Sequence, residues 1–169
     1  DDWRSTLWSA LEESGLTLAW VPADNGGSGA SLADGFSILE LAGKFAVPIP
    51  LAETLLAGWL LSKSKLKCPS GMMTVAPTRL RDKIHLTDNN TLVGEVFGVP
   101  FANVAENIVV LAHKDDMPHI ALVSAKDCII KSNPGLSGDG RDTITFSNTI
   151  PIQIHAAPEN FSAQELCLM

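Results

Sequence analysis

Residues 94–112 read GEVFGVPFANVAENIVVLA. Between Leu92 and Val99 apolar residues alternate with small or polar ones until Pro100, and from Ile108 to Ala112 the run is continuously apolar. Alternation marks a strand with one face in a core, and a short unbroken apolar run marks a strand buried more completely. Pro100 lacks a backbone N–H, so the chain between the two runs does not continue as a central strand. The stretch predicts a strand, an irregular crossing and a second strand.

Similar segments flank it at roughly ten- to fifteen-residue spacing, the pattern of a β-sandwich or barrel. Strands are expected at 72–76, 83–86, 91–96, 107–112, 119–123, 127–132 and 143–147, supported by the β-branched Ile129, Ile130, Ile144 and Thr145. Lys114-Asp115-Asp116-Met117-Pro118 reads as a tight hairpin loop, and residues 133–140, with Gly135, Gly138 and Gly140, as a turn-rich connection.

Residues 1–67 read differently. Trp3, Leu7 and Leu11 form an i, i+4, i+8 stripe with Trp8 beside it, and Gly15 follows as a helix stop. An apolar link, residues 16–21, leads to Pro22 and then to Asn25-Gly26-Gly27-Ser28-Gly29, which no helix crosses. Ser31 begins a second helix, with Asp34 completing a capping box and Leu32, Phe36, Leu39 and Ala42 or Gly43 marking the expected buried face. That helix ends near Ala46, ahead of Pro48 and Pro50. A third helix, about 51–62, carries Leu51, Leu55, Leu56, Trp59 and Leu60, a face wide enough to pack on more than one side. Lysine-rich residues 63–70 mark a boundary. The fold class is therefore α+β: a helical domain over 1–67, an antiparallel β-barrel or sandwich over 68–155, and a polar link over 156–169 in which Ser162 and Glu165 begin another helix.

Composition limits function. With 46% hydrophobic and 18% charged residues the chain is globular, and no apolar run approaches the ~20 residues of a membrane span. The net charge of −7 is spread over both parts, −3 from 5 basic and 8 acidic residues in 1–67 and −4 from 7 basic and 11 acidic in 68–169. Neither part offers the basic field that nucleic acid requires. Cys68, Cys128 and Cys167 are odd in number and widely spaced, which suits free thiols in a reducing, cytoplasmic setting. His85, His113, His119 and His155 show no ligand spacing, so no metal site is expected. The glycine-rich loop has neither a phosphate-binding pattern nor a basic residue, which argues for a turn rather than a phosphate cradle.

Several of these motifs together resemble the acyl-CoA dehydrogenase family. Gly15-Leu16, then Val21-Pro22-Ala23-Asp24-Asn25-Gly26-Gly27-Ser28-Gly29 and the helix after Ser31, look like the family's helical N-terminal domain. The segment from Pro50-Leu51-Ala52-Glu53-Thr54 resembles its next helix, which helps wall the acyl pocket. Gly94, Ala105, Glu106 and Ala112 match the middle β-domain, and residues 143–151 look like its last strand, with Asn148 where an acidic residue is usual. The resemblance implies flavin contacts from Ala76, Pro77 and Thr78 and from Val99, Pro100 and Phe101. Two flavin signatures are altered. Gly98, Val99 and Pro100 stand in place of Trp-Ile-Thr, and Ala76-Pro77-Thr78 stands in place of Val-Thr-Glu, with Arg79-Leu80-Arg81-Asp82 replacing a Gly-Ser-Asp loop.

The resemblance covers nearly the whole chain but about the first half of a family member, ahead of the helical domain that carries the catalytic carboxylate. It implies FAD at a weak or shared site, an acyl-CoA substrate, an electron-transfer partner and homo- or hetero-oligomers. No catalytic residue is assigned here; Glu53, Glu106 and Glu165 read as solvated charges. Three readings stand: a fragment of an FAD-dependent acyl-CoA dehydrogenase that is inactive alone, a flavin-degenerate subunit of a heteromeric dehydrogenase, and a ligand-free interaction module. Apolar surface uncovered by the absent domain is expected to drive self-association.

Overall fold

The computed structural model describes residues 3–133, 135 and 140–158. It is an α+β fold in which three helices, α1 (Trp3–Glu13), α2 (Leu32–Lys44) and α3 (Leu51–Lys63), precede eight strands. These are β1 (Met73–Ala76), β2 (Ile84–Leu86), β3 (Leu92–Pro100), β4 (Asn107–Lys114), β5 (Met117–Ser124), β6 (Ile129–Lys131), β7 (Arg141–Thr149) and β8 (Gln153–Ala156). The seven expected strands and three expected helices are present; β8 is an addition, pairing with β5 at its edge. The helix expected at Ser162 lies outside the described residues.

The strands follow the order β6-β7-β3-β2-β4-β5-β8, with β1 also paired to β4. Most pairs are antiparallel, but β1 and β2 both run parallel to β4 along the same edge, β1 opposite 107–110 and β2 at His113. The sheet is therefore mixed. The β4–β5 turn has only Asp115 and Asp116 between paired Lys114 and Met117, both at positive φ (49° and 61°), as a two-residue turn matched to strand twist requires.

β4 explains the unbroken apolar run. Ile108, Val110 and Ala112 enter one core with Ala76, Ile84, Leu92, Val96, Val99, Ile144 and Phe146. Val109 and Leu111 enter another with Met73, Val75, Ile120, Leu122 and the α3 residues Ala57, Leu60 and Leu61. α3 is clipped to this second core by Thr54, fully buried, whose hydroxyl donates to the Met73 carbonyl (3.1 Å) and accepts from the Met73 N–H (3.0 Å).

At the other end, Gly15 takes φ 72° after α1, and Ser31 and Asp34 form the expected capping box. The buried face of α2 is the expected one at Leu39 and Ala42 but not at Leu32 and Phe36. Leu32 and Phe36 are 50% and 57% exposed, and Gly43 is exposed, while Gly35, Ile38, Leu39 and Ala42 face inward. The cause is Trp20, whose indole lies so directly on Gly35 that a Cβ built there would clash with Nε1. That seat turns α2 about its axis and puts the Gly35 stripe inside. Gly35→Ala should therefore destabilise the protein by about 1–3 kcal/mol as an overpacked contact. Gly43→Ala, on the same helix with nothing within 4 Å of its Cβ, should be neutral or stabilising by up to about 1 kcal/mol. Urea unfolding of the two variants against the parent checks both.

Candidate functional site

β1 and β3 end side by side. Thr74 donates its hydroxyl to the Pro100 carbonyl at 2.7 Å in a fully buried contact, and beyond it Thr78 Oγ1 lies 3.2 Å from the Phe97 carbonyl and 3.3 Å from that of Gly98. The two triplets named from sequence, Ala76-Pro77-Thr78 and Val99-Pro100-Phe101, thus form one ridge. The Ala76–Pro77 peptide is cis.

Their side chains do not all face outward. Ala76 and Val99 are completely buried in the core under the ridge. Pro77 and Pro100 are buried as well. Thr78 is half-buried, and its hydroxyl proton is turned to this chain's own carbonyls. Phe101, at φ 54°, opens the turn over 101–106 and lines a cleft of about 440 Å³ with Arg4, Ile49, Met72 and Val104, on the helical side of the ridge.

Between Val96 and Val99 the pairing with β7 slips: Val96 opposes Ile144 and Val99 opposes Asp142, so two residues, Phe97 and Gly98, stand against one. This is a β-bulge with Gly98 at φ 73°, the left-handed conformation that glycine enters without a Cβ penalty. Gly98 is therefore more than a trimmed aromatic position, because a larger residue would meet open space but a strained backbone.

Sequence reading passed over the group that holds the bulge. Asp82, 8% exposed, accepts from the Phe97 N–H (2.9 Å) through one oxygen and from Arg79 Nη2 (3.3 Å) through the other. The Arg79 guanidinium sits 5.1 Å from the Phe97 ring centroid. In Arg79-Leu80-Arg81-Asp82 the aspartate looks like any solvated loop charge; only the return of β3 past it makes it structural.

An isoalloxazine needs a face to stack on and hydrogen-bonding groups at its edge. The ridge does not fit that need: Gly98 has no ring, Pro100 has neither hydroxyl nor N–H, the Thr78 proton is engaged and the Phe97 ring carries Arg79. The α3 face expected to wall an acyl pocket is filled by Met73, Val75, Val109 and Leu111. Among the described residues the buried carboxylates are occupied: Asp82 is engaged as above and Asp142 accepts from the backbone N–H groups of Asn103 (2.8 Å) and Asn133 (3.2 Å), while Glu106 is exposed.

The remaining reactive groups are quiet. Burial pushes the Cys68 and Cys128 thiols up to about 11, with Asp127 adding to the effect at Cys128. His113, paired across β2–β4 with His85, has its pKa lowered by burial and then by Lys83. Among the described residues no cluster of His, Cys, Asp or Glu is arranged to hold a metal ion, and no helix is long and apolar enough to cross a membrane. The glycine-rich loop folds on itself, its Gly27, Ser28, Gly29 and Ala30 N–H groups donating to the carbonyls of Pro22, Leu18, Val21 and Ala19. None of these four is left for a phosphate.

Two outcomes follow from this geometry. Asp82→Ala leaves the Phe97 N–H without its acceptor and should cost about 1–3 kcal/mol in thermal or denaturant unfolding. Cys68 and Cys128 should alkylate far more slowly at pH 8 than a free peptide thiol, since thiolate is the reacting form; per-residue mass spectrometry after iodoacetamide reads this directly.

No protein-family model and no curated protein matches the sequence. Solved structures do match. The ChsE4-ChsE5 complex from Mycobacterium tuberculosis superposes with a TM-score of 0.77 at 18% identity, over 92% of this chain and 48% of that one. A variant of the Tcur3481-Tcur3483 steroid ACAD gives 0.72 at 24% identity, over 91% and 48%. XiaF from a Streptomyces species, in complex with FADH2 and glycerol, gives 0.61 at 16%, over 92% and 44%. The chain spans about half the length of the solved structures it matches. At these identities the likeness is one of fold, and in fold the chain is similar to the helical and β parts of acyl-CoA dehydrogenases.

Proposed function

We propose that this chain is the scaffold part of an FAD-dependent acyl-CoA dehydrogenase assembly, with residues 1–67 and 68–155 as its helical and β domains, and that it does not act alone. The observation that carries this reading is the ridge. The segments of β1 and β3 expected to face a flavin are brought together, yet the Phe97 ring carries Arg79, the Phe101 ring lines the cleft on the helical side and the Thr78 hydroxyl proton is engaged. A flavin-competent second chain would supply those contacts, together with the carboxylate that takes up the substrate α-proton, and the flavin's redox chemistry would then belong to that chain's site rather than to this ridge.

The residues of this chain position rather than react. Thr74 and Thr78 lock β1 to β3, Asp82 holds the bulge, and the cleft beside Phe101 gives an apolar part of an acyl-CoA room outside the filled α3 face. Two-chain naming among the matched structures, ChsE4-ChsE5 and Tcur3481-Tcur3483, supports a hetero-oligomer. Exposed Leu41 (57%) on α2 and Phe45 (72%) just past its end supply apolar surface for association. Electrons leave to a separate acceptor protein, and the assembly works in the cytoplasm.

The test is a visible absorption spectrum of the chain purified alone and again after co-expression with an acyl-CoA dehydrogenase chain encoded beside it. The expected result is colourless protein alone and a yellow co-purifying complex that dehydrogenates acyl-CoA. Stoichiometric flavin on the chain by itself sinks the scaffold reading, and failure to co-purify sinks the partnership.

A further inference from the structure

A separate hollow of about 510 Å³ opens on the helical part, where the loop after α1 meets the start of α2 and the end of α3. It shares no lining residue with the β1–β3 ridge or the Phe101 cleft. Its walls are the indoles of Trp20 and Trp59 with Leu32, and its rim carries Ser62, Lys63 and Lys65. The size lies within the ~300–1,000 Å³ of small-molecule sites.

The walls are set in advance. Trp20 is seated on Gly35 and meets Phe36 edge-on at 5.3 Å between centroids. Trp59 is half-buried on α3, and the Lys63 ammonium stands 5.9 Å from its ring centroid. Rings held this way lose little freedom when a ligand arrives. The rim is cationic in a chain of net charge −7: residues 63–67 read Lys-Ser-Lys-Leu-Lys with no acidic member. Among the described residues neither Lys63 nor Lys65 has a carboxylate within ion-pair distance, and both are exposed. Lys63 suits the negative end of the α3 dipole. Lys65 does not need that explanation, because it lies past the helix end at φ 58°, fixed by its own N–H to Ser62 and by the Leu66 N–H to Leu61.

Flat apolar walls beside unpaired cations match one chemistry. We propose that this hollow binds a planar aromatic anion, its ring against the indoles and its acidic group on Lys63 and Lys65. The proposal uses none of the residues on which the dehydrogenase reading depends. The chemistry is shared by nucleotides and by aromatic carboxylic acids, and the two are separable by experiment.

The test is calorimetric titration of the whole chain, with tryptophan fluorescence in parallel, using adenosine monophosphate and naphthalene-2-carboxylate, each against its neutral counterpart, adenosine and naphthalene-2-carboxamide. At least one anion should bind about tenfold or more tightly than its counterpart, with affinity falling as salt rises. Phosphate preference identifies a nucleotide site, carboxylate preference an organic-acid site. Trp59→Leu and the surface pair Lys63→Gln/Lys65→Gln should each weaken that anion about tenfold, the latter without changing the melting temperature. Equal binding of charged and neutral forms, no binding of either anion at ~1 mM on this affinity scale, or full binding by the folded lysine variant overturns the proposal.

Discussion

Everything in the molecule is arranged around a strand that has no wet side. β4 sends alternate side chains into two different cores, so it must be covered on both faces at once. One cover is the rest of the sheet, which curls over Ile108, Val110 and Ala112. The other is α3, which brings Ala57, Leu60 and Leu61 down on Val109 and Leu111. Each buried aliphatic side chain contributes roughly 1.5–3 kcal/mol relative to exposure, so neither cover is dispensable. The Thr54 clip then fixes the height of α3 against the first strand, and β1 in turn is fixed between β4 and the end of β3.

The same constraint shapes the candidate site. Because β1 lies parallel on β4, its C-terminal end emerges beside the bulged end of β3, and the two segments meet regardless of what they are to bind. Asp82 stabilises the bulge with one carboxylate placed on a backbone donor and a guanidinium, partners that keep a nearly buried charge from being a liability. The frame is that of the fold, while the side chains on it here offer neither a stacking ring at Gly98 nor a hydroxyl or N–H at Pro100. That separation between the frame and the groups mounted on it is the physical content of the scaffold reading.

Much of this was legible from residues in order. Gly15, the Ser31–Asp34 pair and Pro48 with Pro50 mark helix ends because capping and ring constraints are local. Seven strands follow from alternation and apolar runs, and the Asp115-Asp116 turn from its length. What was not legible depends on contacts between distant positions. The Leu32–Phe36 stripe and the Gly35–Ile38 stripe of α2 are both helical in period, and the choice is made by Trp20, a residue on another segment. β8 is a short edge strand with no strong pattern, and the parallel pairing of β1 with β4 needs a register that no local signal carries. The six ridge residues came from family resemblance alone, and nothing in their order reveals that Ala76 and Val99 turn inward or that the Thr78 proton is engaged.

The strip joining helices to strands has a consequence of its own. Lys67 exchanges two backbone–side-chain hydrogen bonds with Gln153 (3.0 and 3.1 Å), and the Gly71 N–H donates to Glu12 at 2.7 Å. The connector is thus tied at one end to the last strand and at the other to the first helix, while the core beneath it is shared. A gene rearrangement that cut within this strip would separate Leu60 and Leu61 from Leu111 and leave both products with an uncovered apolar face. The helical and β parts therefore share one folding unit, and the connector between them is a structural seam rather than a flexible linker.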